Sequence, residues 1–343
     1  MKSQFSGTQT RVFESPPIVL GAAGVVGRKE GEGPLRAYFD KIGTDSYFGQ
    51  ESWEKAESAI LRDSLNIACD QAQIPPSTLD FIFSGDLLNQ CIASNFALRD
   101  TTVPFFGLYG ACSTMAEALC LSAMLISGGF AEHCAAMASS HFCSAERQFR
   151  TPLEYGAQRT PSSQWTVTGA GALILASQGH GPRITHVTPG HIVDAGIKDV
   201  GNMGACMAPA AYDTLSAHFR ETGRKPSDYD AIITGDLGKI GHQILTELFL
   251  ADGIDLGKSS TDCGILIYDT ADQDVSAGGS GAGCCASVLC SYILQKLSRG
   301  EWKRVLFAAT GALMSATSSL QGESIPGICH AVVFETEGGC GQC

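Results

Sequence analysis

The amino-acid sequence predicts an α/β protein built from two duplicated βαβαβ-type halves packed as a pseudo-dimer. Three observations carry this prediction. First, the segment from Ser77 runs through an apolar strand-like stretch into Ser84-Gly85-Asp86-Leu87. Asp228 to Leu237 restates it as a polar start, a strand and Thr234-Gly235-Asp236-Leu237. Second, a glycine-containing turn opens an apolar helix twice, once at Cys112 and once at Gly283, and a strand-like run follows each helix. Repetition of whole helix–strand units across half the chain is a duplication, not the short period of a solenoid. Third, 343 residues with 44% hydrophobic and 17% charged content and 40 glycines suit a globular chain with many tight strand–helix junctions. The expected halves are residues 1–178, carrying Cys112, and residues 183–343, with Gly179 to Pro182 as a hinge, and a site where they meet.

Taken in order, residues 1 to about 50 are rich in Gly and Pro and hold one clear strand, Ile18 to Val26. Ser52 then opens a helix in which Trp53, Ala56, Ile60, Leu61, Leu65 and Ala68 recur at spacings of three and four, ending before Pro75-Pro76. Leu79 to Phe83 is a buried strand. Phe105 to Leu108 is another, and it meets the turn Tyr109-Gly110-Ala111 that places Cys112 in the first turn of an apolar helix ending at Gly128-Gly129. Cys134 to Ala138 is a strand. The stretch from Ser139 to Gln164 holds His141, Glu146, Arg147, Arg150, Glu154, Tyr155 and Arg159 and reads as a long irregular loop, a functional lid or a disordered linker. Thr166 to Ala176 is a strand. In the second half, strands are expected before Thr234 and from Arg304 to Gly311, with the helix opened by Ser280 to Cys285 ending at Gly300.

Composition excludes several classes. The net charge of −12 and the absence of any Lys/Arg block argue against nucleic acid as a partner. Most of the fourteen cysteines lie in apolar segments, Cys69, Cys120, Cys134, Cys206 and Cys290 among them, where a reduced thiol packs as a small core residue. The N-terminus has no apolar signal core, so a reducing cytoplasmic compartment is expected. Ala111 to Ala131 approaches a spanning length but carries Glu117, hydroxyl residues and Gly128-Gly129, which fits a buried central helix better than a lipid-exposed one. The lone Cys340-Gly341-Gln342-Cys343 pair lacks a second pair for zinc, and the acidic run Asp269, Asp272 and Asp274 lacks calcium-loop spacing.

A duplicated α/β unit with Gly110-Ala111-Cys112-Ser113-Thr114 at a helix start resembles the thiolase superfamily, which includes the ketoacyl-carrier-protein synthases. That resemblance implies a thiolase-like fold of five layers, α-β-α-β-α, with Cys112 on the nucleophile elbow. From residue 8 to about 336 the chain is more closely similar to the stage V sporulation protein AD family. The segments that carry the likeness include Gly85-Asp86-Leu87-Leu88-Asn89-Gln90, Ala145-Glu146-Arg147-Gln148-Phe149-Arg150, Met207-Ala208-Pro209-Ala210-Ala211, Asp262-Cys263-Gly264 and Ala309-Thr310-Gly311-Ala312-Leu313. This implies a binding component for dipicolinic acid, pyridine-2,6-dicarboxylate, alone or as its calcium chelate. It also implies sporulation membrane proteins as partners that move the ligand into the forespore, and association with the forespore membrane through them. Thiolase-like folds commonly pair, so a homodimer is expected by analogy.

The residues themselves leave two chemistries open at Cys112. The N–H groups and dipole of a helix start favour a thiolate nucleophile, and they can equally hold a carboxylate. Condensation of the thiolase type also needs two His, or a His and an Asn, as electrophile-stabilising side chains. The first should follow Ile232-Ile233, where the chain reads Thr234-Gly235-Asp236-Leu237, with His242 further on. The second should lie in the turn Gly278 to Gly283, which reads GGSGAG. The family's second cysteine would fall near Gly322 to Ile325, read as GESI. A catalytically degenerate fold used for binding is therefore expected, with no catalytic residue, cofactor or metal assigned. An acyl transferase using Cys112 and a scaffold with a vestigial pocket are the alternatives. A dicarboxylate site calls for Arg forks, backbone N–H groups and a flat apolar wall. The candidate ligand-binding set is Cys112, His141, Arg147, Arg150, Asp236, Ser280 and His330.

Overall fold

The computed structural model describes residues 6–149 and 159–336. The first half runs β1 (Ile18–Val26), α1 (Trp53–Ala72), β2 (Phe81–Gly85), α2 (Ile92–Leu98), β3 (Phe105–Leu108), α3 (Thr114–Ser127), β4 (His133–Ser140), α4 (Phe142–Phe149) and β5 (Gly169–Ala176). The second runs β6 (Arg183–Thr188), α5 (Met203–Thr222), β7 (Ala231–Thr234), α6 (Gly238–Ala251), β8 (Ser260–Asp262), α7 (Cys263–Leu266), α8 (Ala282–Val288), α9 (Leu294–Ser298), β9 (Arg304–Ala312), α10 (Ala316–Leu320) and β10 (Gly327–Glu335). A π-helical turn, Leu289–Ile293, joins α8 to α9, so the expected helix reaches Gly300 as one rod with a local widening.

Strand order establishes the duplication. The first half is ordered β3-β2-β4-β5-β1 and the second β8-β7-β9-β10-β6, each with only its fifth strand antiparallel to its neighbours. The two half-sheets touch through one pair, Ile18 with Arg183. The expected hinge between β5 and β6 is pinned there: Val19 N–H donates to Pro182 O at 2.8 Å and Ile184 N–H to Pro17 O at 2.9 Å.

Alternation along the strands explains the layers. On β4, Cys134, Ala136 and Ala138 face the central core while Ala135 and Met137 pack with Ile60, Leu61 and Leu65 of α1. On β9, Val305, Phe307 and Ala309 face the centre, and Leu306 and Ala308 face α5 and α6. Helices α3 and α8 fill the space between the sheets, giving the five layers α-β-α-β-α. Because both strand faces are covered, the strands read as continuous apolar runs. Close approach by α8 requires glycine beneath it: a Cβ on Gly171 of β5 would stand 2.2 Å from the Ala286 carbonyl oxygen.

One expectation is corrected. The polar stretch after Ser139 begins as helix α4, not as irregular loop. Its start is capped partly from elsewhere in the fold, where Thr168 Oγ1 accepts from Phe142 N–H at 3.0 Å, and locally by His141 Nδ1, which accepts from Cys143 N–H at 3.2 Å. The Thr168 cap comes from a residue distant in sequence, so local pattern does not signal it.

Candidate functional site

Leaving β3, the chain turns through Tyr109-Gly110 into a 3-10 turn, Ala111–Ser113, ahead of α3. Ala111 has φ +53°, a strained conformation for a residue with a Cβ, and it delivers Cys112 to the junction of the two halves. The second half supplies the facing wall. Asp236, fully buried in the turn after β7, accepts from Thr310 Oγ1 at 2.9 Å on one oxygen. On the other it accepts from Ser280 Oγ at 2.9 Å and Gly281 N–H at 3.3 Å. The Asp236 carboxylate also acts on the Cys112 thiol beside it, as does the Gly281 N–H. Gly281 has φ +101°, and a Cβ there would meet Ser140 Oγ at 2.7 Å, so the turn needs glycine.

Two residues hold this arrangement from behind. Asp262, also fully buried, accepts from Thr234 Oγ1 at 2.7 Å, Leu237 N–H at 2.8 Å, and Gly238 and Gly264 N–H at 2.9 Å each, which fixes the turn carrying Asp236. Gln164 Nε2 donates to the Asp236 carbonyl at 2.6 Å and the Gly279 carbonyl at 2.8 Å, tying that turn to the glycine-rich one. Sequence reasoning passed over Gln164, Asp262 and Thr310 as site residues. Asp262 and Thr310 stand in strings that carry the family resemblance read from the sequence. No local signal marks Gln164, whose role arises from crossing between two turns.

Electrostatics weigh against the thiolate, one of the two chemistries open at Cys112. Burial first, and then the Asp236 carboxylate, push the Cys112 thiol well above its ordinary range, against a smaller opposing effect of Gly281 N–H. Burial also lifts the Asp236 carboxyl to about 6, with the Asp262 charge adding to it and the Cys112, Thr310 and Ser280 hydrogen bonds opposing. An anion facing the sulfur does the opposite of what a nucleophile needs.

Above Cys112 opens a cavity of about 370 Å³, bounded by Leu87 and Phe149 on one side, Met203 and Met314 on another, with Ser163, Thr166, Ser280 and Glu146 as polar points. Among the described residues no Lys or Arg lines it. Of the predicted set, the structure brings together Cys112, Asp236 and Ser280. His141 lies in a second cavity, with Nε2 bound to Ser46 O at 2.7 Å. Arg147 turns away to pair with Glu54 and lie over Trp53, because that carboxylate and indole lie beside it on α1. His330 sits on β10, where its Nδ1 accepts from Gly190 N–H at 3.1 Å, and it lines neither cavity. Arg150 falls outside the described residues, as do Glu154, Tyr155, Cys340 and Cys343.

The profile of the family described as Stage V sporulation protein AD matches residues 7–335. The chain belongs to that family. Stage V sporulation protein AD of Bacillus subtilis (strain 168) is 44% identical over 336 residues, covering 98% of this chain and 99% of that one. Among solved structures, OleA of Xanthomonas campestris superposes with TM-score 0.61 at 14% identity, over 95% of this chain and 100% of that one. The 3-oxoacyl-[acyl-carrier-protein] synthase III of Aquifex aeolicus does so with TM-score 0.54 at 14% identity, over 93% and 99%. These neighbours place the family on the thiolase-like fold that the strand order describes. In this family member the elbow cysteine faces a carboxylate.

Proposed function

We propose that this member of the stage V sporulation protein AD family is a non-catalytic binding component for dipicolinate, acting in its uptake with calcium into the forespore. The observation that carries the reading is the buried Asp236 carboxylate, bonded to Ser280, Gly281 and Thr310 and acting on the thiol of Cys112, behind the Cys112, Ser280 and Gly281 that line the cavity. It favours a protonated thiol and sets a negative charge behind a largely apolar, ligand-sized cavity whose lining also holds Glu146. Free dipicolinate carries two carboxylates and is repelled by such a charge. Its calcium chelate is neutral, and calcium takes six to eight oxygen ligands, so chelated calcium retains positions for carboxylate and hydroxyl oxygens. The chelate is therefore the form proposed to bind.

The test is calorimetric titration of the protein with dipicolinate, with and without equimolar calcium. Binding that strengthens with calcium, weakens in Asp236→Asn and Ser280→Ala and survives in Cys112→Ala supports the reading. Absence of binding by folded wild-type protein in both arms overturns it. The Gly281 N–H, which acts to lower the thiol's pKa, favours a second reading, acyl transfer through Cys112. It requires a covalent adduct after incubation with acyl-CoA thioesters, visible by intact mass and lost in Cys112→Ala.

Partners and location belong to the same proposal. No described helix is long and apolar enough to cross a membrane. The proposed place is the cytoplasmic side of the forespore membrane, reached through the sporulation membrane proteins. A homodimer is proposed through the edge of β3, which pairs only with β2 among the described residues and carries the half-exposed Phe106.

A further inference from the structure

A second cavity, of about 390 Å³, lies across α4 from the first. His141, Phe142 and Cys143 at the start of α4 face it, whereas Ala145, Glu146 and Phe149 face the Cys112 cavity; Trp165 faces it, whereas Gln164 and Thr166 face the other. Its carboxylates are occupied within the protein. Glu30 is turned inward, accepting from Thr168 N–H at 3.0 Å and from Tyr268 Oη. Glu32 pairs with Arg28 at 2.9 Å, and Asp45 accepts from Tyr47 N–H at 2.7 Å and Phe48 N–H at 2.9 Å.

The Lys29 ammonium has no such counter-ion. It sits 3.9 Å from the centroid of a Trp165 ring and donates to the Asp274 carbonyl oxygen at 3.2 Å, and it forms no ion pair among the described residues. The Arg159 guanidinium stands over the same indole at 4.0 Å, so two cations share one aromatic platform. Burial first, and then the Arg159 charge, disfavour the charged form of Lys29, and the Asp274, Glu30 and Glu32 charges offset this only in part. Asp274 stands 3.8 Å from Arg159 with its own side chain almost fully exposed. A partly buried lysine beside a second cation, on a wall whose carboxylates are already engaged, is stabilised by an incoming anion.

We infer that this second cavity is a site for a small oxyanion, a carboxylate or a phosphate, whose oxygens pair with the Lys29 ammonium beside Trp165. The inference stands apart from the reading of the Cys112 cavity, since the two sites share a wall and no ligand-facing charged group.

Trp165 supplies the readout, because it is one of only three tryptophans. In a Trp53→Phe/Trp302→Phe background, inorganic phosphate and pyridine-2,6-dicarboxylate are titrated separately while Trp165 emission is followed. The expected result is a saturable change with at least one of them, about tenfold weaker or absent in Lys29→Met, restored in Lys29→Arg, and unaffected by Asp236→Asn. Response to the dicarboxylate alone identifies a carboxylate site; response to both identifies a general oxyanion site. Should Lys29→Met not fold, protection of Lys29 from amine acylation by the same anions, mapped by peptide mass, replaces it. No saturable change in the millimolar range, or a change that persists in folded Lys29→Met, overturns the inference.

Discussion

Cys112 and Asp236 determine each other's chemistry. The sulfur stands at a helix start beside the Gly281 N–H, which alone would favour thiolate, yet the buried Asp236 carboxylate opposes its charge. At these separations a full negative charge outweighs the partial positive charge of a helix terminus. Wild-type Cys112 should therefore react slowly with iodoacetamide. In Asp236→Asn the repulsion is removed, and peptide-resolved alkylation of Cys112 at constant pH should be faster than in wild type. An unchanged rate would show that burial alone keeps the thiol protonated.

At the scale of elements, α4 is the wall between the two cavities, and a buried acid helps seat it. Glu57 of α1 accepts from Ser139 Oγ at 3.0 Å and Ser144 Oγ at 2.9 Å, the latter in the first turn of α4. Burial, with the Asp86 carboxylate adding to it, pushes the Glu57 carboxyl up to about 8, against those two hydroxyl bonds. The folded protein thus keeps a proton that the unfolded chain loses near 4.5, so Glu57 lowers stability progressively as pH rises between those values. Glu57→Gln retains hydrogen-bonding capacity without the charge. Its melting temperature should fall less across that window than that of wild type, with a gain of roughly 1–2 kcal/mol at the alkaline end. A slope as steep as that of wild type would place the titration elsewhere.

For the whole molecule, two half-sheets of identical strand order enclose one central helical layer, and the site lies where their strand ends meet. Only the first half exposes an aromatic edge: Phe106 stacks on Phe83 at 5.3 Å and tilts against Phe81 at 5.9 Å, yet remains 50% exposed at the end of the sheet. Pairing of two copies through β3 would cover it. Sedimentation of the wild type should give a dimer, and Phe106→Glu should shift it to monomer without loss of helix content by circular dichroism. A monomeric wild type at micromolar concentration would count against the β3 interface.

By itself, the sequence determined the duplication, the strands at Ile18 to Val26 and Phe105 to Leu108, the α1 boundary at Ser52 and the placing of Cys112, Asp236 and Ser280 at candidate positions. Apolar periodicity, the Gly-Asp-Leu repeat and glycine-containing turns are local patterns, and local patterns survive without a partner. Tertiary structure alone decided the rest. It placed Arg147 against Glu54, His141 in the second cavity and His330 on β10, all apart from Cys112, because side-chain partners are chosen by distant elements. It capped α4 with Thr168, and it recruited Gln164 and Asp262 as braces from residues that stand apart in the chain. The Cys112 proton follows the same rule: a helix start is written locally, but the carboxylate that overrides it arrives from the other half of the fold.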